Sequence, residues 1–201
     1  VDVARRAQLV QCAVDAIAEV GYQKASLAEI ARRAGITKGA IFYHFANREE
    51  LFEAVFAHVL STGSEFILTR VRAATTPREQ LRAYVSAFAE SIEVDPKAVQ
   101  ALFAIGQQHA DEEGRSQFAR NPELQEAALA TLVDILRRGQ EAGEFGEFNV
   151  RSMAMMMRAT LEAMPTYAAV YPGLDLAAYS HDVIAFVERA CGVAPARRRR
   201  S

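Results

Sequence analysis

The sequence predicts an all-α chain, and three observations carry that prediction. Apolar residues recur at three- and four-residue steps through most of the 201 positions. Residues that cap or stop helices stand where those periodic runs begin and end. No segment alternates between apolar and polar residues well enough to be a strand, and no internal repeat is present.

The elements follow in order. Val10, Ala13, Val14, Ile17 and Ala18 share one face of a first helix from Val3 to Val20, and Gly21 supplies its stop. Ser26-Leu27-Ala28-Glu29 fits a capping box, with Ala25 and Ile30 at the staple positions, so a second helix is expected to begin at Leu27 and end near Gly35. Gly35-Ile36-Thr37 then leaves room only for a tight turn, the spacing of a helix-turn-helix unit. Thr37 is an N-cap type for a short third helix reaching Phe45. Gly39 within its first turn costs roughly 1 kcal/mol against alanine, a penalty that makes sense where an outside backbone must come close. Lys38 puts positive charge at the positive end of the helix dipole, and a docked anion such as phosphate would reverse that mismatch. Tyr43 and His44 add two hydrogen-bonding side chains, while Ile41, Phe42 and Phe45 are expected to anchor the element. The expected core of this three-helix unit is Val10, Val14, Ile17, Leu27, Ile30, Ala31, Ile36, Ile41 and Phe45.

Asn47, with Glu50 three residues on, caps a fourth helix that begins at Arg48, presents Leu51, Phe52, Val55, Phe56, Val59 and Leu60 on one side, and continues past Gly63 toward Val71. Thr75-Thr76-Pro77 breaks it, and Pro77 suits the first position of a helix carrying Leu81, Tyr84, Val85, Phe88 and Ile92. Asp95-Pro96 ends that helix; another spans about Lys97 to His109, and Asp111-Glu112-Glu113-Gly114 reads as a loop. Asn121-Pro122 opens a helix whose Leu124, Ala128, Leu132, Ile135 and Leu136 keep helical spacing until Gly139 and Gly143. Gly143-Glu144-Phe145-Gly146 is read as a turn, because it follows a helix and lacks phosphate-loop spacing. Asn149 caps a methionine-rich helix with Met153, Met155, Met156, Met157, Leu161 and Met164, expected to bend or end at Pro165. The last helix runs from about Leu176 to Cys191.

Composition removes several classes. The chain shows no run of about eighteen consecutive apolar residues and no signal-peptide core in Val1-Asp2-Val3-Ala4-Arg5-Arg6, so the expectation is a cytoplasmic protein without membrane contact. Cys12 and Cys191 are too few for a disulfide framework and are expected to be buried structural residues. There is no nucleophile elbow, no histidine pair at metal spacing on one helix and no phosphate loop, so neither an enzyme nor a metal or other cofactor is expected. His109 with Asp111, Glu112 and Glu113 has only a generic loop spacing. The net charge of −2 hides an uneven layout, because without Arg197, Arg198, Arg199 and Arg200 it would be −2 − 4 = −6. That tail is expected to be a disordered basic end. Between Gln23 and Arg48, Lys24, Arg32, Arg33, Lys38 and Arg48 are opposed by Glu29 alone.

Gly21-Tyr22, Ser26-Leu27-Ala28-Glu29-Ile30-Ala31, Ala34-Gly35-Ile36-Thr37-Lys38-Gly39, Phe42-Tyr43-His44-Phe45 and Asn47-Arg48-Glu49-Glu50-Leu51 resemble the N-terminal domain of TetR/AcrR-family transcriptional regulators. The resemblance covers roughly the first quarter of the chain. It implies a helix-turn-helix DNA-binding domain over residues 1–47 and a larger helical effector-binding and dimerisation domain over residues 48–192, with residues 193–201 as the tail. By position it implies DNA contacts from Ser26, Thr37, Lys38, Gly39, Ala40, Tyr43, His44 and Arg48. Ser26, Tyr43, His44 and Arg48 would mostly hold phosphates, while Lys38 and Ala40 face the groove floor. Family members often carry tyrosine where this chain has Phe42, which is therefore left out of the contacts. The resemblance further implies a homodimer on a palindromic double-stranded DNA operator, released as a repressor by a small hydrophobic effector. Leu161, Val170, Val183, Ile184 and Val187 suit either the dimer interface or burial within the monomer. Phe66, Phe88, Phe103, Gln107, Met156, Met164 and Tyr167 suit either an effector pocket or the core. A ligand-independent DNA-binding protein is the alternative reading.

Overall fold

In a computed structural model, which describes residues 2–108 and 122–192, nine helices account for most of the described residues and no strand is present among them. They are α1 (Asp2–Val20), α2 (Leu27–Ala34), α3 (Lys38–Ile41), α4 (Arg48–Ala73), α5 (Pro77–Val94), α6 (Pro96–Gln108), α7 (Pro122–Glu141), α8 (Val150–Val170) and α9 (Leu176–Ala190). The expected caps are in place: Thr37 Oγ1 accepts from Ala40 N at 3.3 Å and Asn149 Oδ1 from Ser152 N at 2.8 Å. Asp175 caps α9 in the same way.

The helices form two compact units. Among the described residues, the first comprises residues 2–64, 95–108 and 122, and the second residues 65–94 and 123–192. These units cut the chain differently from a boundary at residue 47, because α6 packs against α1. Lys97, in the first turn of α6, is bonded to Asp15 at 3.2 Å and to Glu19 at 2.8 Å. The first part of α4 belongs to one unit and its last part to the other. By length and composition α4 would suit a membrane span. Leu51, Phe52, Val55 and Phe56 are buried at one end of it and Ile67 and Val71 at the other.

The core of the first unit contains every expected residue except Ile36, which is half-buried, and adds Leu9, Ala13 and Ala16. In the second unit, α5 packs on α8 and α9 around Leu81, Val85, Leu132, Ile135, Leu161 and Met164. The glycine-rich turn after α7 has a structural purpose. Phe145 is folded back into the core over Gly139, where a Cβ would sit 2.0 Å from its ring. Pro165 does not end α8, which continues to Val170. A clamp joins α5 to α9: Glu188 accepts from Arg78 Nε at 2.7 Å and from Arg82 Nε at 2.5 Å, and these bonds draw its carboxyl down to about 2. Both cysteines are free thiols. Cys191 is buried, and that burial pushes its thiol up to about 11, while Cys12 is only half-buried, short of the burial expected.

Candidate nucleic-acid interface

The helix-turn-helix is built from local chemistry. Ser26 Oγ accepts from Glu29 N at 3.2 Å and starts α2. The second half of the expected capping box is missing, because the Glu29 carboxylate turns to Arg32 and Arg33 instead, with bonds of 2.7 to 2.9 Å. Gly35 closes the helix at φ 68°, a left-handed conformation that glycine adopts without strain, and Ile36 N then donates to Ala31 O at 3.0 Å.

The third element is shorter than the sequence suggested. Four residues are α-helical, after which Phe42, Tyr43 and His44 each donate to the carbonyl three residues back. Ile41 and Phe45, four residues apart, both reach the core, where each is essentially inaccessible. Phe42 is turned out. Phe42 was expected to anchor the element, yet it is 50% exposed beside Tyr43, which is 89% exposed. Ser26, Thr37, Lys38 and Gly39 are exposed as well, and Ala40 and His44 are half-buried. All eight residues assigned to DNA contact therefore stand wholly or partly open, seven of them on two adjoining elements and the turn leading from the second. Gly39 has no internal reason to be glycine, since a Cβ there would meet only Thr37 Oγ1, at 3.9 Å.

Arg48 is the exception. Its Nε donates to Ala25 O at 3.2 Å and its Nη2 to Tyr22 O, while the guanidinium lies 4.4 Å from the ring centroids of both Tyr22 and Phe52. It braces the α1–α2 turn against α4. Arg6 does a similar job from the other side: it donates to His44 O and lies 4.1 Å from the Phe45 ring centroid. Glu50 completes the mount, accepting from Ala46 N at 2.6 Å while its own N–H donates to Asn47 Oδ1. No spacing pattern points to Arg6, because its partners are 38 and 44 residues away.

The local basicity is smaller than a count of residues implies. Glu29 takes Arg32 and Arg33, whose bonds hold its carboxyl at about 2, and Glu19 takes Arg33 and Lys97. Lys24 and Lys38 are exposed and carry no ion pair among the described residues.

The residues expected to line an effector pocket are scattered. Met164 is fully buried in the core of the second unit, with Phe66 and Phe88 packed against that core. Met156 and Tyr167 are exposed, and Tyr167 rests on Tyr171 and Tyr179. Phe103 belongs to the first unit, and the side chain of Gln107 lies outside the described residues, as do His109, Asp111, Glu112, Glu113 and the arginine tail. Two clefts in the second unit, of about 380 and 230 Å3, are lined by other residues.

A glycine-closed turn between two capped helices, the second held by two apolar residues and otherwise turned outward, defines a helix-turn-helix protein. Residues 9–55 match the bacterial regulatory proteins of the tetR family. The chain is 34% identical over 99 residues to the HTH-type transcriptional activator FasR of Mycolicibacterium smegmatis, a stretch covering 49% of this chain and 45% of FasR. The chain thus spans about half the length of that relative. It is 26% identical over 179 residues to the fatty acid metabolism regulator protein of Bacillus subtilis, covering 88% of this chain and 90% of that one. The solved structure of the transcriptional regulator FadR from Bacillus subtilis, in complex with stearoyl-CoA, superposes with a TM-score of 0.75 at 26% identity, over 90% of this chain and 96% of FadR.

Proposed function

We propose that this chain is a ligand-responsive repressor that binds a palindromic DNA operator as a homodimer. The observation that carries the reading is the combination of an outward Thr37-Lys38-Gly39 edge and an exposed Tyr43 with a mount of Arg6, Arg48 and Glu50 that fixes their direction. Lys38 and Tyr43 are the principal contacts, with Thr37, Ala40, His44 and Ser26 around them. Ala40 offers only apolar contact, such as with a thymine methyl, so specificity leans on DNA shape.

A single element of this length reaches only a few base pairs, which favours two half-sites and a two-fold dimer. Tyr167, Val170 and Tyr171 form an exposed stripe at the end of α8, and Phe186 of α9 is exposed too. These residues suit the interface better than Leu161, Val183 and Val187, which are buried within their own unit.

The effector in this reading is a small hydrophobic molecule of the fatty acyl class, supported by the likeness to a FadR that holds stearoyl-CoA. It competes with operator through a coupling of about 1–3 kcal/mol, enough to loosen DNA binding severalfold to a hundredfold. A second reading, DNA binding without a ligand, draws on the dense packing around Met164, Leu132 and Ile135 in the second unit.

The test starts from duplexes selected by the purified chain out of a randomised pool. Lys38→Ala with Tyr43→Ala is expected to weaken the selected duplex by roughly 30- to 150-fold, from about 1–1.5 kcal/mol per contact. Unchanged affinity in the folded variant overturns the DNA reading. If long-chain acyl-CoAs at saturation leave the wild-type affinity unchanged at fixed salt, the second reading stands in place of the first.

A further inference from the structure

A cleft of about 230 Å3 lies between α5 and α9, well away from the helix-turn-helix. Two facing stripes make it, each at the helical steps of three and four residues: Ser86 to Glu93 on α5 and Ala177 to Ile184 on α9. Its floor is small and buried, formed by Ala89 and Ser180; its rim is exposed and polar, formed by Glu90, Glu93 and His181. The volume is some seven or eight times the ~30 Å3 share of one water in the liquid, and below the ~300 Å3 at which sites for drug-sized ligands begin.

The floor holds an anomaly. Ser180 is the buried polar residue of the described chain, 6% exposed, and its hydroxyl has no hydrogen-bond partner among the described residues. Buried hydroxyls are nearly always bonded, so one that opens into a cleft without a partner marks a place where an outside group completes the bond. The charge of the rim says which group. Glu90 is taken by Arg70, whose Nε donates to it at 2.9 Å, and the Arg70 guanidinium is itself seated 3.6 Å from the Phe66 ring centroid. Glu93 has no ion pair among the described residues, so the rim carries one uncompensated negative charge.

We propose that this cleft binds a small primary ammonium ion, its N–H groups bonded to the Glu93 carboxylate and the Ser180 hydroxyl and its short alkyl body laid on Ala89 and Ile184. One uncompensated carboxylate calls for a monocation. Two acceptors at different depths call for a nitrogen with several N–H donors, which a quaternary ammonium lacks. The site stands independently of the DNA reading, since none of its residues belongs to the helix-turn-helix and its test contains no DNA.

The experiment is calorimetric titration of the full chain with n-butylammonium, with 1-butanol and n-butyltrimethylammonium as the uncharged and donor-free counterparts. Saturable one-to-one binding of n-butylammonium in roughly the millimolar range is expected. Glu93→Gln and Ser180→Ala should each weaken it by about tenfold, the loss of one charge-assisted hydrogen bond. Both variants leave the fold intact, checked by their melting curves. Absence of saturable binding overturns the proposal. So does binding that survives both substitutions, or equal binding of either counterpart.

Discussion

Replacing Arg48 with alanine separates the phosphate contact that the sequence resemblance implies from the brace that the structure shows. The guanidinium gives two bonds to the carbonyls of Tyr22 and Ala25 and covers the rings of Tyr22 and Phe52. A charge-assisted bond contributes about 1.5 kcal/mol at the low end of its range, and a half-buried cation over an aromatic face about 0.5–1 kcal/mol. These terms share one side chain and do not add fully, so the expected loss is about 2–4 kcal/mol from the stability of the first unit. Arg48→Lys should lose most of the same amount, because an ammonium cannot serve two divergent carbonyls and stack as well. Urea denaturation of each variant reads the stability. A salt titration of operator binding reads the other role: a residue that holds a phosphate takes about 0.9 off the slope of log K against log salt when removed, whereas a brace leaves the slope unchanged. Stability within ~0.5 kcal/mol of wild type, a change typical of unremarkable surface positions, together with a shallower slope, would return Arg48 to the DNA surface and refute the brace.

Other substitutions test the remaining steps. Gly39→Ala should raise stability by up to about 1 kcal/mol, since only Thr37 Oγ1 at 3.9 Å meets the new methyl, and should lower operator affinity; thermal melts and fluorescence anisotropy separate the two effects. Gly139→Ala should cost on the order of 1–3 kcal/mol or more, because the Phe145 ring must leave its seat, and near-ultraviolet circular dichroism should show the displaced aromatic. Glu188→Gln should cost on the order of 2 kcal/mol at neutral pH, because the carboxylate, 12% exposed, is held at about 2 against an ordinary value of 4.5. A depressed carboxyl stabilises fully above its unfolded value and loses that contribution as pH falls toward its folded one. The wild-type and variant stabilities should therefore converge between about pH 4.5 and 2. Phe186→Glu with Val170→Glu should give monomers by sedimentation if the exposed faces of α8 and α9 pair; an unchanged dimer removes those residues from the interface.

What the sequence made legible was local. The caps at Ser26, Thr37 and Asn149 and the stop at Gly35 depend on partners within five residues, and each is where spacing put it. The break at Pro77 and the buried faces of α1 and α4 follow the same logic. Pro165 shows the limit of a local rule: a proline inside a helix costs about 3 kcal/mol, but Leu161 and Met164 are fully buried in the turn before it, and their packing holds α8 together. Periodicity says that α6 has a face to bury and not what covers it, so its place against α1 was illegible. Arg33 shows the same for charge. Its partner Glu29 is one helical turn away and predictable, but Glu19 is 14 residues back on another helix. Phe42 shows that an apolar residue in an apolar run need not face inward: Ile41 and Phe45, one helical turn apart, take the buried face, and Phe42 lies about 100° round from Ile41.

That pairing of charges bears on how the surface meets its partner. Of the five cations between Lys24 and Arg48, Glu19 and Glu29 hold Arg32 and Arg33, and backbone carbonyls hold Arg48. Arg33, 17% exposed and bonded on both sides, ties α2 to α1, and Glu19 passes the connection on to Lys97 of α6. The basic residues of the helix-turn-helix therefore divide their work: most set the position of the reading edge within the first unit, and Lys24 and Lys38 carry its charge outward. In the proposed reading, a surface with so few open cations draws less of its affinity from counterion release and more from the fit of Thr37, Gly39, Ala40 and Tyr43. Fit of that kind depends on the placement of the whole mount, which Arg33, Glu19 and Lys97 tie to α1 and α6.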